Sequence, residues 1–154
     1  MSNAIENRLA ELGLTLPDAP APAANYVPFV KTGNQVYVSG QLPTGPDGLI
    51  KGKLGDDLDA DAGAEAAKYC ALALLSQARK AADGDLSRVR LLKLVGFVNS
   101  TADFGDQPKV VNGASDLMVE VMGENGRHAR SAIGVAGLPM NFAMEIEGEV
   151  LLAG

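Results

Sequence analysis

The stretch His128–Glu149, HARSAIGVAGLPMNFAMEIEGE, decides how this chain is read. It divides into two short strand-like runs joined by a turn containing Gly137, Leu138 and Pro139, and so predicts a closing hairpin. Arg130 stands at the start of the first run and Glu145 on the second. The apolar residues around them supply a β scaffold that leaves one cation and one carboxylate near a cleft. A planar guanidinium suits a small carboxylate ligand, because its fork gives two parallel hydrogen bonds. An ion pair between Arg130 and Glu145 is the competing reading. Glu145, Glu147 and Glu149 alternate and therefore share one face of their strand. Such a row is either solvated or paired across the sheet with residues like Arg88 and Arg90.

Upstream of this stretch, periodicity sorts the elements. Residues 107–122 place Val110, Val111, Ala114, Leu117, Met118 and Val121 at helical spacing, with Asp106 or Gln107 opening the helix. The run 88–100, RVRLLKLVGFVNS, is the strongest strand candidate. Before it, a long helix runs from Asp59 or Asp61 to about Asp83 with Ala66, Ala67, Cys70, Ala71, Leu74, Leu75 and Ala78 inward, and Gly84 ends it. Tyr26–Thr32 and Gln35–Ser39 read as strands joined through Gly33-Asn34, a hairpin signal. TGPDG at 44–48 is a turn, and Leu49–Leu54 reads as a short return strand. Residues 4–13 form a small amphipathic helix, followed at 16–25 by an arm in which Pro17, Pro20 and Pro22 forbid helix. The domain division is therefore residues 1–24, helix and Pro-rich arm, and residues 25–154, an α+β domain. Its order is ββ(β)αβαββ, with two helices on one face of a mixed sheet.

Bulk properties exclude several functions. The 154 residues suit one core, and the net charge of −6 opposes binding to a phosphate backbone, which depends on clustered Lys and Arg. One cysteine, Cys70, allows no intrachain disulfide and points to a reducing, cytoplasmic setting. No secretory h-region is evident and no apolar run approaches membrane-spanning length. One His and one Cys cannot supply the usual zinc ligand sets. Gly48 to Lys53 fails as a phosphate loop because three residues, not four, separate the glycines and Leu54 follows the lysine. Gly113-Ala114-Ser115-Asp116-Leu117 lacks the closing glycine of a nucleophile elbow. Ser39-Gly40 ends a strand where a missing Cβ admits either a ligand or a simple turn.

Tyr26-Val27, Val38-Ser39-Gly40-Gln41-Leu42-Pro43, Val111-Asn112, Ala129-Arg130-Ser131, Leu138-Pro139 and Glu145-Ile146-Glu147, in this order, resemble the RidA/YjgF family of reactive intermediate deaminases over residues 25–152. The resemblance implies a chorismate-mutase-like α+β fold and a homotrimer with clefts between subunits. It implies that Arg130 binds the substrate carboxylate and that Glu145 holds or activates water. Tyr26, Ser39 and Gly40 would line the cleft, with Asn112 close to it on the second helix. The implied reaction is hydrolysis of 2-imino or enamine acids to 2-keto acids and ammonia, with no metal or organic cofactor.

Two positions depart from the common pattern: Ala132 where many relatives carry cysteine, and His128 where many carry proline. For His128 a structural role is the simpler reading. The N-terminal helix and arm match a longer subgroup that bears an endoribonuclease label. The rivals to a deaminase are thus a non-catalytic trimer that binds 2-keto acids and an endoribonuclease. The acidic charge and single histidine disfavour the last.

Overall fold

The computed structural model describes residues 4–154; residues 1–3 of the N-terminal segment lie outside the described residues. Helix α1 (Ala4–Glu11) is followed by the extended Pro-rich arm, then strands β1 (Phe29–Thr32) and β2 (Gln35–Gln41). A miniature hairpin, β3 (Thr44–Gly45) with β4 (Gly48–Leu49), precedes helix α2 (Ala60–Ala81). Strand β5 (Val89–Asn99), helix α3 (Gln107–Met122), strand β6 (Ala129–Val135) and strand β7 (Met144–Leu152) complete the chain. This is the expected mixed sheet with two helices on one face and an added N-terminal helix.

The two long helices form where periodicity places them. Asp59 accepts a hydrogen bond from Ala62 N at 2.8 Å and so caps α2, satisfying one of its free amide donors. The inward stripe of α2 packs on the sheet with Cys70, Ala71, Leu74 and Ala78 fully buried. Helices α2 and α3 approach closely because Gly113 has no side chain: a Cβ there would lie 2.0 Å from Ala64 O. Helix α1 buries Ile5 and Leu9 in the same core, and Arg8 pairs with Glu120 of α3.

The sheet corrects the hairpin reading of the C-terminal stretch. Its strand order is β1-β2-β7-β5-β6, so β5 lies between β6 and β7. β6 runs parallel to β5 from Lys93↔Ala129 to Asn99↔Val135, with α3 as the crossover, and β7 runs antiparallel to β5. Residues 136–143 step over the end of β5 rather than turning back on β6. Lys53 and Asn99 hold this bridge: Lys53 Nζ donates to Ala136 O at 2.5 Å and to Asn99 Oδ1 at 2.7 Å. Asn99 Nδ2 in turn donates to Asn141 Oδ1 at 3.0 Å and Phe142 O at 3.2 Å. Asn141 adopts a left-handed φ of 57°, a conformation asparagine tolerates better than most residues.

The return strand over 49–54 is also corrected. Only Leu49 is in a strand, and Lys51 and Leu54 make isolated bridges to Phe142 and to Ser100. Gly52, at φ 132°, breaks the extended path between them. The first strand starts at Phe29, not Tyr26. Residues 26–28 are instead tied alongside β2 by Ser39, whose N donates to Pro28 O at 2.9 Å and whose Oγ donates to Val27 O at 2.7 Å.

Candidate functional site

Side-chain alternation assigns each candidate residue to a face. On β5, Leu94, Gly96 and Val98 point to the helices and are buried, while Lys93, Val95 and Phe97 point to the open face. Arg130 is opposite Leu94, on the helix side, and Glu145 is opposite Phe97, on the open side. Within one chain the two residues therefore project from opposite faces of the sheet. The expectation of a cation and a carboxylate meeting across a hairpin does not hold within one chain.

The Arg130 side forms one group. β6 is an edge strand, and Arg130 reaches from it to the N-terminal half of α3. Its Nη1 donates to Asn112 Oδ1 at 2.8 Å and to Ser115 Oγ at 3.1 Å, and its Nη2 donates to Pro108 O at 3.2 Å. Pro108, Asn112 and Ser115 follow one another at helical spacings of four and three, so one face of α3 presents all three acceptors. Every acceptor is neutral. Among the described residues no carboxylate pairs with Arg130, so its positive charge stays uncompensated in a half-buried position.

Ser115 also lies 2.9 Å from His128 Nε2, while His128 Nδ1 lies 2.6 Å from Gly126 O. Burial lowers the His128 pKa and the Arg130 charge adds to this, with the Gly126 contact acting the other way. In the sequence Ser115 stands within a failed nucleophile elbow. Its position three residues beyond Asn112 was the available signal.

The Glu145 side forms a second group. A Cβ on Gly40 would come within 2.2 Å of Glu145 Oε1, so the carboxylate lies across the bare backbone of that glycine. The glycine at the end of β2 is thus required for the placement of a protein side chain. Burial raises the Glu145 pKa from its ordinary value, and the charge of Glu147 on the same face raises it further. No hydrogen bond to its carboxylate is made among the described residues. A half-buried carboxyl of this kind holds a proton to higher pH than an exposed one.

Glu149 sits opposite Lys93 and Tyr37, and Gln35 Nε2 donates to it at 3.3 Å. The cross-strand partners proposed for the glutamate row, Arg88 and Arg90, are engaged elsewhere: Arg88 donates to Ala82 O and Ala153 O, and Arg90 to Glu124 O.

Tyr26 and Gly40 also line a cavity of about 390 Å³ walled by Pro17, Pro20 and Pro22 of the arm. Ser76 Oγ donates to Pro17 O at 2.7 Å and Gln77 Nε2 to Pro20 O at 2.8 Å, which straps the arm onto α2. Cys70 takes no part in either group. It is fully buried, and burial holds its thiol well above the ordinary value, with the Glu145 charge adding to this. Among the described residues no cluster of metal-ligating side chains occurs, and no helix is long and apolar enough to cross a membrane.

The fold of this chain is matched by known proteins. The family model described as "YjgF/chorismate mutase-like, putative endoribonuclease" covers residues 6–146. The chain belongs to this family. It is 49% identical over 154 residues to protein TCP17 of Trypanosoma cruzi, covering 98% of this chain and 96% of that one. A solved structure from Shewanella oneidensis, described as a "putative endoribonuclease", superposes with a TM-score of 0.92 at 34% identity, covering 97% of this chain and 100% of the other. A 2-iminobutanoate/2-iminopropanoate deaminase from Dermatophagoides farinae is 29% identical over 141 residues, 90% of this chain and 94% of the relative.

Proposed function

We propose that this chain hydrolyses reactive 2-imino acids to 2-keto acids and ammonia in a cleft formed between subunits of a homotrimer. One observation carries the reading: a half-buried arginine held by three neutral acceptors, with its charge left for a ligand to neutralise. Arg130 would grip the substrate carboxylate and place the imine carbon for attack. Water adds to that carbon while the nitrogen takes up a proton. The carbinolamine then loses ammonia and becomes the keto acid. Glu145 accepts the proton from water and returns one to the departing nitrogen, a role its raised pKa favours.

Because Arg130 and Glu145 face opposite sides of one sheet, the reaction needs Arg130 of one subunit beside Glu145 of its neighbour. Val30, Tyr37, Ile133 and Leu151 leave an exposed apolar surface on the same face as Glu145. Burying that face against other copies of the chain would bring the two groups together. Tyr26 and Ser39 would border the Glu145 half of the cleft, and Asn112 the Arg130 half. The setting we propose is the reducing cytoplasm, where Cys70 needs no disulfide partner.

A second reading has its own support. The carboxylate clamp is complete within one chain, whereas Glu145 is not beside it, so a trimer that binds 2-keto acids without turnover needs only the first group. A coupled assay separates the two. 2-Iminobutyrate is generated in situ, and keto-acid release is compared between wild type and Arg130→Ala. Acceleration by wild type that is lost in the variant supports the deaminase. Binding of 2-ketobutyrate without acceleration supports the binding trimer. RNA cleavage that co-purifies with the protein and survives Arg130→Ala would instead favour the nuclease label of the family.

A further inference from the structure

Behind the Arg130 guanidinium lies a serine–histidine pair that a carboxylate clamp does not by itself require. The proton positions in this pair follow from the acceptors. Gly126 O can only accept, so His128 Nδ1, 2.6 Å away, carries the proton. Nε2 of a neutral imidazole is then an acceptor, and the hydroxyl of Ser115, 2.9 Å away, donates to it. Ser115 has only that one proton. Once it is committed to His128, the oxygen lone pairs face outward, and Arg130 Nη1 donates to one of them at 3.1 Å.

We infer that His128 and Ser115 form a positioning relay that aims the Arg130 guanidinium at the substrate carboxylate. The inference rests on the carboxylate-clamp reading of Arg130. Without an acceptor at Nε2, the serine hydroxyl is a free rotor and can turn its proton toward Nη1, setting donor against donor. Asn112 and Pro108 would still hold the guanidinium, but with one of its three anchors gone. Burial and the Arg130 charge favour the neutral form that the relay uses, with the Gly126 contact acting the other way. The charged neighbours Glu124 and Arg127, on the turn before β6, are engaged with each other at 3.0 Å. Ser115 and His128 are thus positioning residues, acting on the ligand through Arg130.

The test uses the full chain with 2-ketobutyrate as the probe, measured by calorimetry and compared with KM and kcat for 2-iminobutyrate. Ser115→Ala and His128→Leu are expected to weaken binding and raise KM by about tenfold, with kcat changed far less. Ser115→Thr keeps the hydroxyl, and His128→Gln places a carbonyl acceptor near the Nε2 position. Both should restore affinity to within about threefold of wild type. Nitrogen NMR of His128 should show the neutral ring protonated at Nδ1. Binding by Ser115→Ala equal to wild type, equal losses in His128→Leu and His128→Gln, or a ring protonated at Nε2 would each overturn the relay. Arg130→Ala distinguishes the two levels. If that variant binds as wild type does, the clamp reading fails and takes the relay with it. If it loses binding while Ser115→Ala keeps it, the clamp stands and the relay alone is refuted.

Discussion

The edge of the sheet at β6 and its open face at β7 solve opposite electrostatic problems. On the edge, Arg130 is a cation surrounded by neutral acceptors, so its environment satisfies its hydrogen bonds without cancelling its charge. On the face, Glu145 is a carboxyl without a hydrogen-bond donor among the described residues, pressed over Gly40 and next to Glu147, and its pKa is raised. On the proposed reading, one region would receive an anion and the other would hold or release a proton. Neither does both. On that reading, the single chain carries two half-sites that assembly would join.

The largest expected effect comes from removing the cation. Arg130→Ala should lower 2-ketobutyrate affinity and deamination by about a hundredfold or more, since a charge-assisted bidentate contact is lost. Calorimetry and the coupled assay check this. Next, Tyr37→Asp puts a charge in the exposed apolar face. It should dissociate the proposed trimer by sedimentation and abolish turnover, while leaving Arg130 and its α3 acceptors intact within each chain.

Gly40→Ala strikes the other half-site. A Cβ 2.2 Å from Glu145 Oε1 has to displace that carboxylate, so turnover should fall by about tenfold with 2-ketobutyrate binding largely kept. Equal losses of binding and turnover would erase the distinction between the halves.

The smallest effect is on stability. The folded pKa of Glu145 lies above its unfolded value, so its contribution is fully present below the unfolded pKa and is lost as pH rises through the folded one. Glu145→Gln should therefore melt slightly higher than wild type at pH 7, by roughly 1–3 °C after allowing for solvent screening. Below the ordinary carboxylate range the gain should vanish. Thermal melts across pH measure it.

Much of this arrangement could be read from residue order. Helices α2 and α3 and strand β5 follow from apolar spacing, because each buries one stripe against the same core. The pairing of β6 could not be read in that way. Gly137-Leu138-Pro139 has the local chemistry of a hairpin turn, and nothing local reveals that β5 occupies the intervening place in the sheet. Parallel pairing through α3 depends on contacts far apart in sequence.

The same limit hid the placement of the site. Alternation along each strand puts the three glutamates on one face, but the face of Arg130 relative to them depends on the register of two strands with β5. Arg130 and Glu145 are legible as a cation and a carboxylate on neighbouring strand-like runs, Asn112 is marked by the family resemblance alone, and the chain's own geometry adds Ser115. Gly40 reads in the sequence as a strand end that admits either a ligand or a simple turn, and its close neighbour is the side chain of Glu145.

Subunit complementation tests the central claim most directly. Arg130→Ala and Glu145→Gln homotrimers, each inactive, are unfolded together and reassembled at a one-to-one ratio. If every cleft takes Arg130 from one chain and Glu145 from another, about a quarter of the clefts in random mixed trimers regain both residues, and deaminase activity returns in that proportion. Mixed trimers that form but stay inactive would contradict the account.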